Sequence, residues 1–403
     1  MTLRFYDNLR VRSYADLTSA LDRISRLPVP GFVPGHPPFN MISQKSFMYS
    51  RMKNILIIAY GGSNTSFLAL YGALRNPNLT KNVEVVNTVD PDELYRLRNT
   101  YTKRDTLVVA ISKSGNTAGV LETLMYFHDY TTVVITEETD NALMNLAWRK
   151  QWDYLVHPEI GGRFSARTVT TYFPAALMGI DVEQVDYGFM NIYQQCNEQV
   201  PIPQNPAKLF AAACRVLEDM GYTEVYVPYY TPRLQGMANL IVQLMHESVC
   251  KHGRGQTFYT AYAPEAQHHT NQRIFGGRRN VISLFIRQEQ YDHDQRILVQ
   301  PEMVSIPYKD TTLSVFESLP FSYAMNFELQ GTYETALNNG IPSALLSLER
   351  IDPMNMGELI GFFQYVAVYA GYLREVNPFD QPHVESSKKR TIELIKGFYQ
   401  QNH

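Results

Sequence analysis

The stretch Thr106–Leu124, TLVVAISKSGNTAGVLETL, decides how the chain is read. The apolar and β-branched run Thr106–Ile111 passes straight into Ser112-Lys113-Ser114-Gly115-Asn116-Thr117, and an amphipathic helical pattern starts at once. A short continuous apolar run bounded by turn residues predicts a strand covered on both faces. Small hydroxyl residues on the turn fill a core poorly. They suit an anion better, because a helix N-terminus presents free backbone N–H groups and the positive end of a dipole.

The same alternation continues on either side. Asn54–Tyr60 (NILIIAY) predicts a strand, and SFLALYGAL after it a helix. VEVVNTV with PDELYRLRNTY, and TTVVITE with NALMNLAWRKQ, repeat the pair. Pro28–Pro38, PVPGFVPGHPP, cannot continue a helix or a central strand and predicts an arm leading into the first domain. A second break falls at Asn197–Pro206, NEQVPIPQNP, and the rhythm then restarts. KLFAAACRVLEDMG and RLQGMANLIVQLMHESV predict helices, while EVYVPY, NVISLFI and PSALLSL predict strands. GELIGFFQYVAVYAGYL predicts a buried helix and VESSKKRTIELIKGFYQ an amphipathic C-terminal one. The expected fold is α/β: two tandem Rossmann-like, parallel-sheet α/β/α sandwich domains with C-terminal helices. The expected divisions are an N-terminal arm over 1–38, a first domain with phosphate-binding turns over 39–200, a second domain over 201–365, and a helical segment over 366–403.

Composition excludes several classes. Of 403 residues, 45% are apolar and 19% charged, the balance of a folded globular chain. A net charge of -3 argues against a nucleic-acid partner, which calls for a basic surface. The 3 cysteines, Cys196, Cys214 and Cys250, are odd in number and lack C-x-x-C spacing, so a reducing compartment is expected rather than a disulfide framework. The N-terminal MTLRFYDNLRVRSYADL lacks the apolar stretch of a signal peptide, and no run approaches the ~18 uninterrupted apolar residues of a membrane span. The expectation is a soluble cytoplasmic protein with no membrane partner.

A second hydroxyl-rich turn, AYGGSNTS (Ala59–Ser66), follows the Asn54 strand, with Gly61 and Gly62 permitting a tight bend and Ser63, Thr65 and Ser66 offering hydroxyls. Neither turn matches a Walker loop or G-x-G-x-x-G, so a nucleotide is not indicated. The plainer reading of each is helix capping, for which Ser, Thr and Asn are favoured. Two such turns on one sheet, one of them with a lysine, favour a small phosphorylated metabolite.

The turns resemble those of the sugar-isomerase (SIS) fold, and four segments resemble the phosphoglucose isomerase (glucose-6-phosphate isomerase) family. Gly161–Val169, GGRFSARTV, is similar to its G-G-R-[FY]-S signature. Gln243–Ser248, QLMHES, followed by Lys251, resembles Q-x-x-x-E-S-x-G-K. Ala266–His269, AQHH, resembles Q-H-[SA], and Asn377–Lys389, NPFDQPHVESSKK, resembles F-D-Q-x-G-V-E-x-x-K. They occur in the family's order.

The resemblance implies an aldose–ketose isomerase of glycolysis and gluconeogenesis. It would interconvert glucose 6-phosphate and fructose 6-phosphate through a cis-enediol, with no cofactor and no metal. The base would be Glu247, since an ordinary carboxylate is ionised at neutral pH. Arg163 would stabilise the enediolate, as a fixed cation aimed at developing charge lowers a barrier. His268 and Lys388 would open the sugar ring, histidine being suited to either direction of proton transfer. Ser112, Lys113, Ser114 and Thr117, with Ser63 on the neighbouring turn, would hold the phosphate, and Gly162, Gln243 and Gln381 would contact the sugar. The family further implies a homodimer in which His268 serves the neighbouring subunit's site.

Departures from the signatures carry their own expectations. Ala59-Tyr60 replace Gly-Ile, Cys250 and His383 each replace a glycine, and His269 follows His268. Loss of glycine twice predicts altered backbone or tolerance there, and the bulk of Tyr60 and His383 predicts a reshaped sugar pocket. His246, Cys250, His252, His268 and His269 suggest a metal site only weakly, because HESVC is not H-E-x-x-H. The competing functions are an isomerase for another phosphosugar and a non-catalytic phosphosugar sensor. The sensor would want a basic recognition helix, which the N-terminal arm lacks.

Overall fold

The computed structural model describes residues 3–9, 11, 17, 29–75, 81–202 and 204–402. Half of the expected arm, at 1, 2, 10, 12–16 and 18–28, therefore lies outside the described residues. The strands are β1 (Leu3–Asn8), β2 (Asn54–Ala59), β3 (Asn82–Val86), β4 (Thr106–Ile111), β5 (Thr131–Thr136), β6 (Asp153–Val156), β7 (Glu224–Tyr229), β8 (Thr257–Tyr262), β9 (Val281–Gln288), β10 (Pro307–Tyr308), β11 (Thr311–Thr312) and β12 (Ser343–Leu348). The helices are α1 (Phe39–Met48), α2 (Gly62–Leu74), α3 (Pro91–Thr100), α4 (Ala118–Tyr126), α5 (Ala142–Lys150), α6 (Val169–Leu177) and α7 (Val182–Cys196) in the first half. In the second half they are α8 (Pro206–Asp219), α9 (Met237–Val249), α10 (Thr270–Gly276), α11 (Phe321–Asn338), α12 (Pro353–Tyr372) and α13 (Pro382–Asn402).

The first sheet has the order β3-β2-β4-β5-β6 and is parallel throughout. Every residue of β2 and β4 is buried, as strands covered by helices on both faces require. Side-chain alternation divides them between two cores. Ile55, Ile57, Leu107 and Val109 face the central cluster, while Leu56, Ile58, Val108 and Ala110 face an outer cluster with Val120 and Leu124 of α4.

The second sheet has the order β1-β12-β9-β7-β8, parallel except for β1, which runs antiparallel to β12. The first strand thus belongs to the second sheet, whereas the sequence predicted an arm leading into the first domain. Leu3 is buried and Phe5 packs near Phe210 and Phe362, with ring centroids 6.1 and 6.3 Å apart, which is the one-sided burial of an edge strand.

The central cluster joins the two halves. It includes Val225, Val227, Ile282 and Leu284 of the second sheet and most of α12. Helix α12 is buried from Asn355 to Gly371 and packs on α7 and α8, one helix from each half. Its contact with α7 is close because Gly188 and Gly357 are small: a Cβ on either would lie 1.9 Å from Met354 O or 2.1 Å from Val185 O. Helix α13, at the end of the chain, has no buried side chain. No helix among the described residues is long and apolar enough to cross a membrane.

Candidate active site

In the first sheet the strand order reverses between β2 and β4, and at such a switch point the C-terminal ends of neighbouring strands open a crevice for ligands. Both hydroxyl-rich turns lie there. After β2, Gly61 takes φ 57 and α2 starts at Gly62. Ser63 is half-buried, Asn64 donates to Ala59 O at 2.8 Å, and Thr65 donates to Gln243 Oε1 at 2.9 Å. After β4, Gly115 takes φ 64 beneath Asn141, and the Ser112 and Thr117 hydroxyls bond each other at 2.8 Å. Asn116 N donates to Ser114 Oγ at 3.3 Å. Lys113 Nζ lies 3.5 Å from Glu137 Oε1.

The capping reading of these turns can now be weighed. Asp90, Asn141, Asp181, Asn205 and Asp352 each cap their helix by accepting a backbone N–H. Helices α2 and α4 have no side-chain cap. The hydroxyls of the two turns are therefore not engaged in capping, and the first N–H groups of both helices face the crevice end of the sheet.

The Gly-Gly-Arg segment reaches the first turn directly. A Cβ on Gly62 would stand 2.4 Å from Arg163 N, and one on Gly162 would stand 3.3 Å from Gly62 C, so two glycine backbones touch there. Arg163 is the second residue of a 3-10 turn spanning Gly162–Arg167 and is 2% exposed. Its guanidinium donates from Nε to Ser248 Oγ (2.8 Å), from Nη1 to Glu247 Oε2 (3.0 Å) and Gln381 Oε1 (2.8 Å), and from Nη2 to Pro378 O (2.6 Å) and Asp380 O (3.0 Å). Burial pulls its pKa down and the Glu247 charge pulls it back up. An arginine nonetheless stays charged at any physiological pH.

Glu247 and Gln243 stand four residues apart on α9 and so share a face. Gln243 Nε2 donates to Glu247 Oε1 at 2.9 Å. Each carboxylate oxygen of Glu247 thus accepts one bond and keeps a further lone pair for a reacting proton. A quarter of the side chain is exposed, so a ligand can reach it.

The Asn377–Gln381 loop closes the cluster. Lys251, 5% exposed, donates to Asn377 O, to Asp380 O at 2.8 Å and to the Asp380 carboxylate at 2.7 Å. The hydrogen bond from Lys251 holds the Asp380 carboxyl below its usual pKa.

The structure therefore brings together Arg163, Glu247, Gln243 and Gln381, beside Gly162 and the Ser63 turn. It does not bring His268 or Lys388 to them. His268 is exposed on a 3-10 turn, Glu265–His268, and makes no hydrogen bond among the described residues. Lys388 lies on α13 and pairs with Glu385 at 2.8 Å. Three participants were missed as such in the sequence. Thr65 and Ser248 were visible only as a turn hydroxyl and a signature serine, and Lys251 only as a signature match.

The departures from the signatures are accommodated where they stand. Tyr60 packs against the outer cluster, where a Cβ on Gly119 would lie 2.6 Å from its ring, and its hydroxyl lies 3.5 Å from Thr123 Oγ1. Cys250 takes φ −78, and His383 sits in the first turn of α13 with no positive φ, so neither backbone needs glycine. The left-handed turn falls instead at His252 and Gly253, with φ 53 and 72. His269 Nδ1 bonds its neighbour Thr270 Oγ1 at 2.8 Å. His246 Nε2 accepts from Phe258 N at 3.0 Å, and no group of three or more metal-ligating side chains is placed to hold an ion among the described residues.

No protein-family model matches the chain. The sequence is 28% identical over 360 residues to the glucose-6-phosphate isomerase of Acholeplasma laidlawii, covering 85% of this chain and 82% of that one. It is 30% identical over 326 residues to a probable glucose-6-phosphate isomerase of Haloarcula marismortui, covering 78% of this chain and 72% of the relative. In three dimensions it shares the fold of a crystal structure of a glucose-6-phosphate isomerase from Chlamydia trachomatis, with a TM-score of 0.75 and 18% identity over 96% of this chain and 75% of that one.

Proposed function

The chain belongs to the glucose-6-phosphate isomerase family, with SIS-type sheets and C-terminal helices, and from that premise we propose how its residues carry the reaction. The phosphate sits over the two uncapped turns, held by Ser63, Ser112, Lys113, Ser114 and Thr117. This orients the sugar towards Glu247. Glu247 takes the proton from C2 of open-chain glucose 6-phosphate and returns it to C1 while the hydroxyl proton passes from O2 to O1, giving fructose 6-phosphate through a cis-enediol. Arg163, desolvated and locked by five acceptors, balances the negative charge that develops on the enediol oxygen, where a preorganised cation is most effective. Gln243 and Gln381 orient the base and the cation, and Gly162 leaves room for the sugar beside them.

His268 and Lys388 open the ring, one donating to the ring oxygen and the other accepting from the C1 hydroxyl. His268 acts from the neighbouring subunit of a homodimer, which its exposed and unbonded side chain supports. No cofactor enters the scheme. A cytoplasmic setting is proposed with it, in keeping with three unpaired cysteines.

The observation that carries this reading is the Glu247 carboxylate held between Gln243 and a buried arginine, beside the N-terminus of α2, which has no side-chain cap. The test is conversion of fructose 6-phosphate to glucose 6-phosphate by purified protein, followed through a coupled dehydrogenase. Turnover is expected. A folded protein that binds phosphosugars without turning any over would leave only a sensor.

A further inference from the structure

We propose that Lys251 is a positioning residue for ring opening: it fixes the Asn377–Gln381 loop and, through it, the start of the helix that carries Lys388. The inference rests on the reading of Lys388 given above.

The ammonium of Lys251 has three acceptors, and all three belong to that loop: Asn377 O, Asp380 O and the Asp380 carboxylate. Its side chain is 4% exposed, so water cannot substitute for them. Helix α13, in contrast, buries no side chain of its own. What holds α13 is its approach. Asp380 O accepts from both Lys251 and Arg163. Phe379 packs near Phe164 at 5.3 Å, and His383 in the first turn of α13 faces His252, the neighbour of Lys251, at 6.5 Å.

The two halves of the chemistry depend on this loop unequally. Glu247 is oriented by Gln243 on its own helix and by Arg163, which keeps Ser248 as an anchor outside the loop. Lys388 has no comparable anchor among the described residues, where its one ion pair is with Glu385 on its own helix. Freeing the loop therefore disturbs ring opening before it disturbs proton transfer at C2.

The experiment compares wild type, Lys251→Met and Lys251→Arg. Amide hydrogen exchange is read over the Asn377–Val384 segment and over α9. Exchange between the α and β anomers of glucose 6-phosphate, which reports ring opening alone, is read by two-dimensional NMR beside net isomerisation. In K251M, faster exchange of the loop by about tenfold or more is expected, the scale of losing hydrogen bonds to a charged group, with α9 unchanged. Anomer exchange should fall by the same factor as isomerisation, and K251R should recover most of both.

Wild-type hydrogen exchange of the loop in K251M overturns the tether. A loosened loop with intact anomer exchange and lost isomerisation overturns the ring-opening role. Should K251M not fold, Asp380→Ala removes one arm of the same clamp at a half-exposed carboxylate; several-fold faster loop exchange supports the tether, and unchanged exchange overturns it. If wild type catalyses neither reaction, the reading of the site fails and the ring-opening role with it, while hydrogen exchange still decides whether Lys251 holds the loop.

Discussion

Arg163 Nη1 donates to Glu247 Oε2 at 3.0 Å, with the arginine side chain 2% exposed and the glutamate 25%. The cation is fixed from below by Ser248, Pro378 and Asp380, while the carboxylate keeps one edge open. A buried, multiply bonded cation and a partly open carboxylate thus stand within one hydrogen bond of each other.

That pairing makes Glu247→Gln the most direct test of the base. The amide preserves volume and can still accept from Arg163, yet it cannot take a proton at neutral pH. We expect kcat to fall by at least about 10²-fold with KM little changed, the pattern of a group acting only in the transition state. Steady-state kinetics with fructose 6-phosphate checks it, and wild-type-like turnover would remove Glu247 from the base role.

The contact of the first turn with the Gly-Gly-Arg segment predicts a contrast between two alanine substitutions. Gly62→Ala drives a methyl to 2.4 Å from Arg163 N, a backbone atom that cannot rotate aside. Gly161→Ala meets nothing within 4 Å, at φ −58. G62A should cost about 1–3 kcal/mol of stability through overpacking and displace Arg163, lowering kcat by roughly tenfold or more, as a lost 1.4 kcal/mol of barrier stabilisation does. G161A should match wild type in thermal unfolding and kinetics. Equal behaviour of the pair would contradict the close approach.

The proposed sharing of sites between subunits predicts that two inactive chains rebuild activity together. Mixed dimers of Glu247→Gln and His268→Ala should regain activity, because one site per dimer then combines an intact Glu247 with an intact partner histidine. Activity is measured on heterodimers separated by a tag on one chain. No recovery in verified heterodimers would place His268 in its own chain's site or outside the chemistry.

His157 predicts how stability responds to pH. It is 1% exposed just after β6; Nδ1 bonds Pro158 O at 2.7 Å, and Nε2 has no partner among the described residues. Burial lowers its pKa from the ordinary 6.5, the nearby Lys113 adding to the effect. The unfolded chain therefore takes up the proton more readily than the folded one. The contribution of the neutral ring is complete above 6.5 and is lost progressively as pH falls from there towards the folded pKa. Half-buried His246 shifts in the same direction. Denaturant unfolding should show stability falling between pH 7.5 and 5. His157→Asn, whose amide can donate to Pro158 O, should flatten that slope by up to about one proton. An unchanged slope would show that His157 titrates normally.

Much of this protein is legible in local pattern. β2, β4 and β5 are continuous apolar runs because both faces of a parallel sheet are covered. The hydroxyls at Ser63, Ser112, Ser114 and Thr117 are visible beside them, and so is the four-residue spacing that puts Gln243 and Glu247 on one helix face. β8, TFYTAY, was not legible, since an edge strand with polar and aromatic residues lacks an apolar run.

The sequence by itself determined where many of the helices and strands form, which turns are rich in hydroxyls, and which residue types are available to the chemistry, all properties of short-range periodicity and spacing. Tertiary structure alone decided the rest, because it depends on pairings between distant segments. Leu3–Asn8 lies against Ser343–Leu348 at the far end of the chain. Tyr60 turns into the outer cluster because its strand alternation and the small Gly119 leave space there. Arg163, Glu247 and Gln381 converge, and Lys251 clamps the last loop, only when two sheets and one buried helix have packed into a common core.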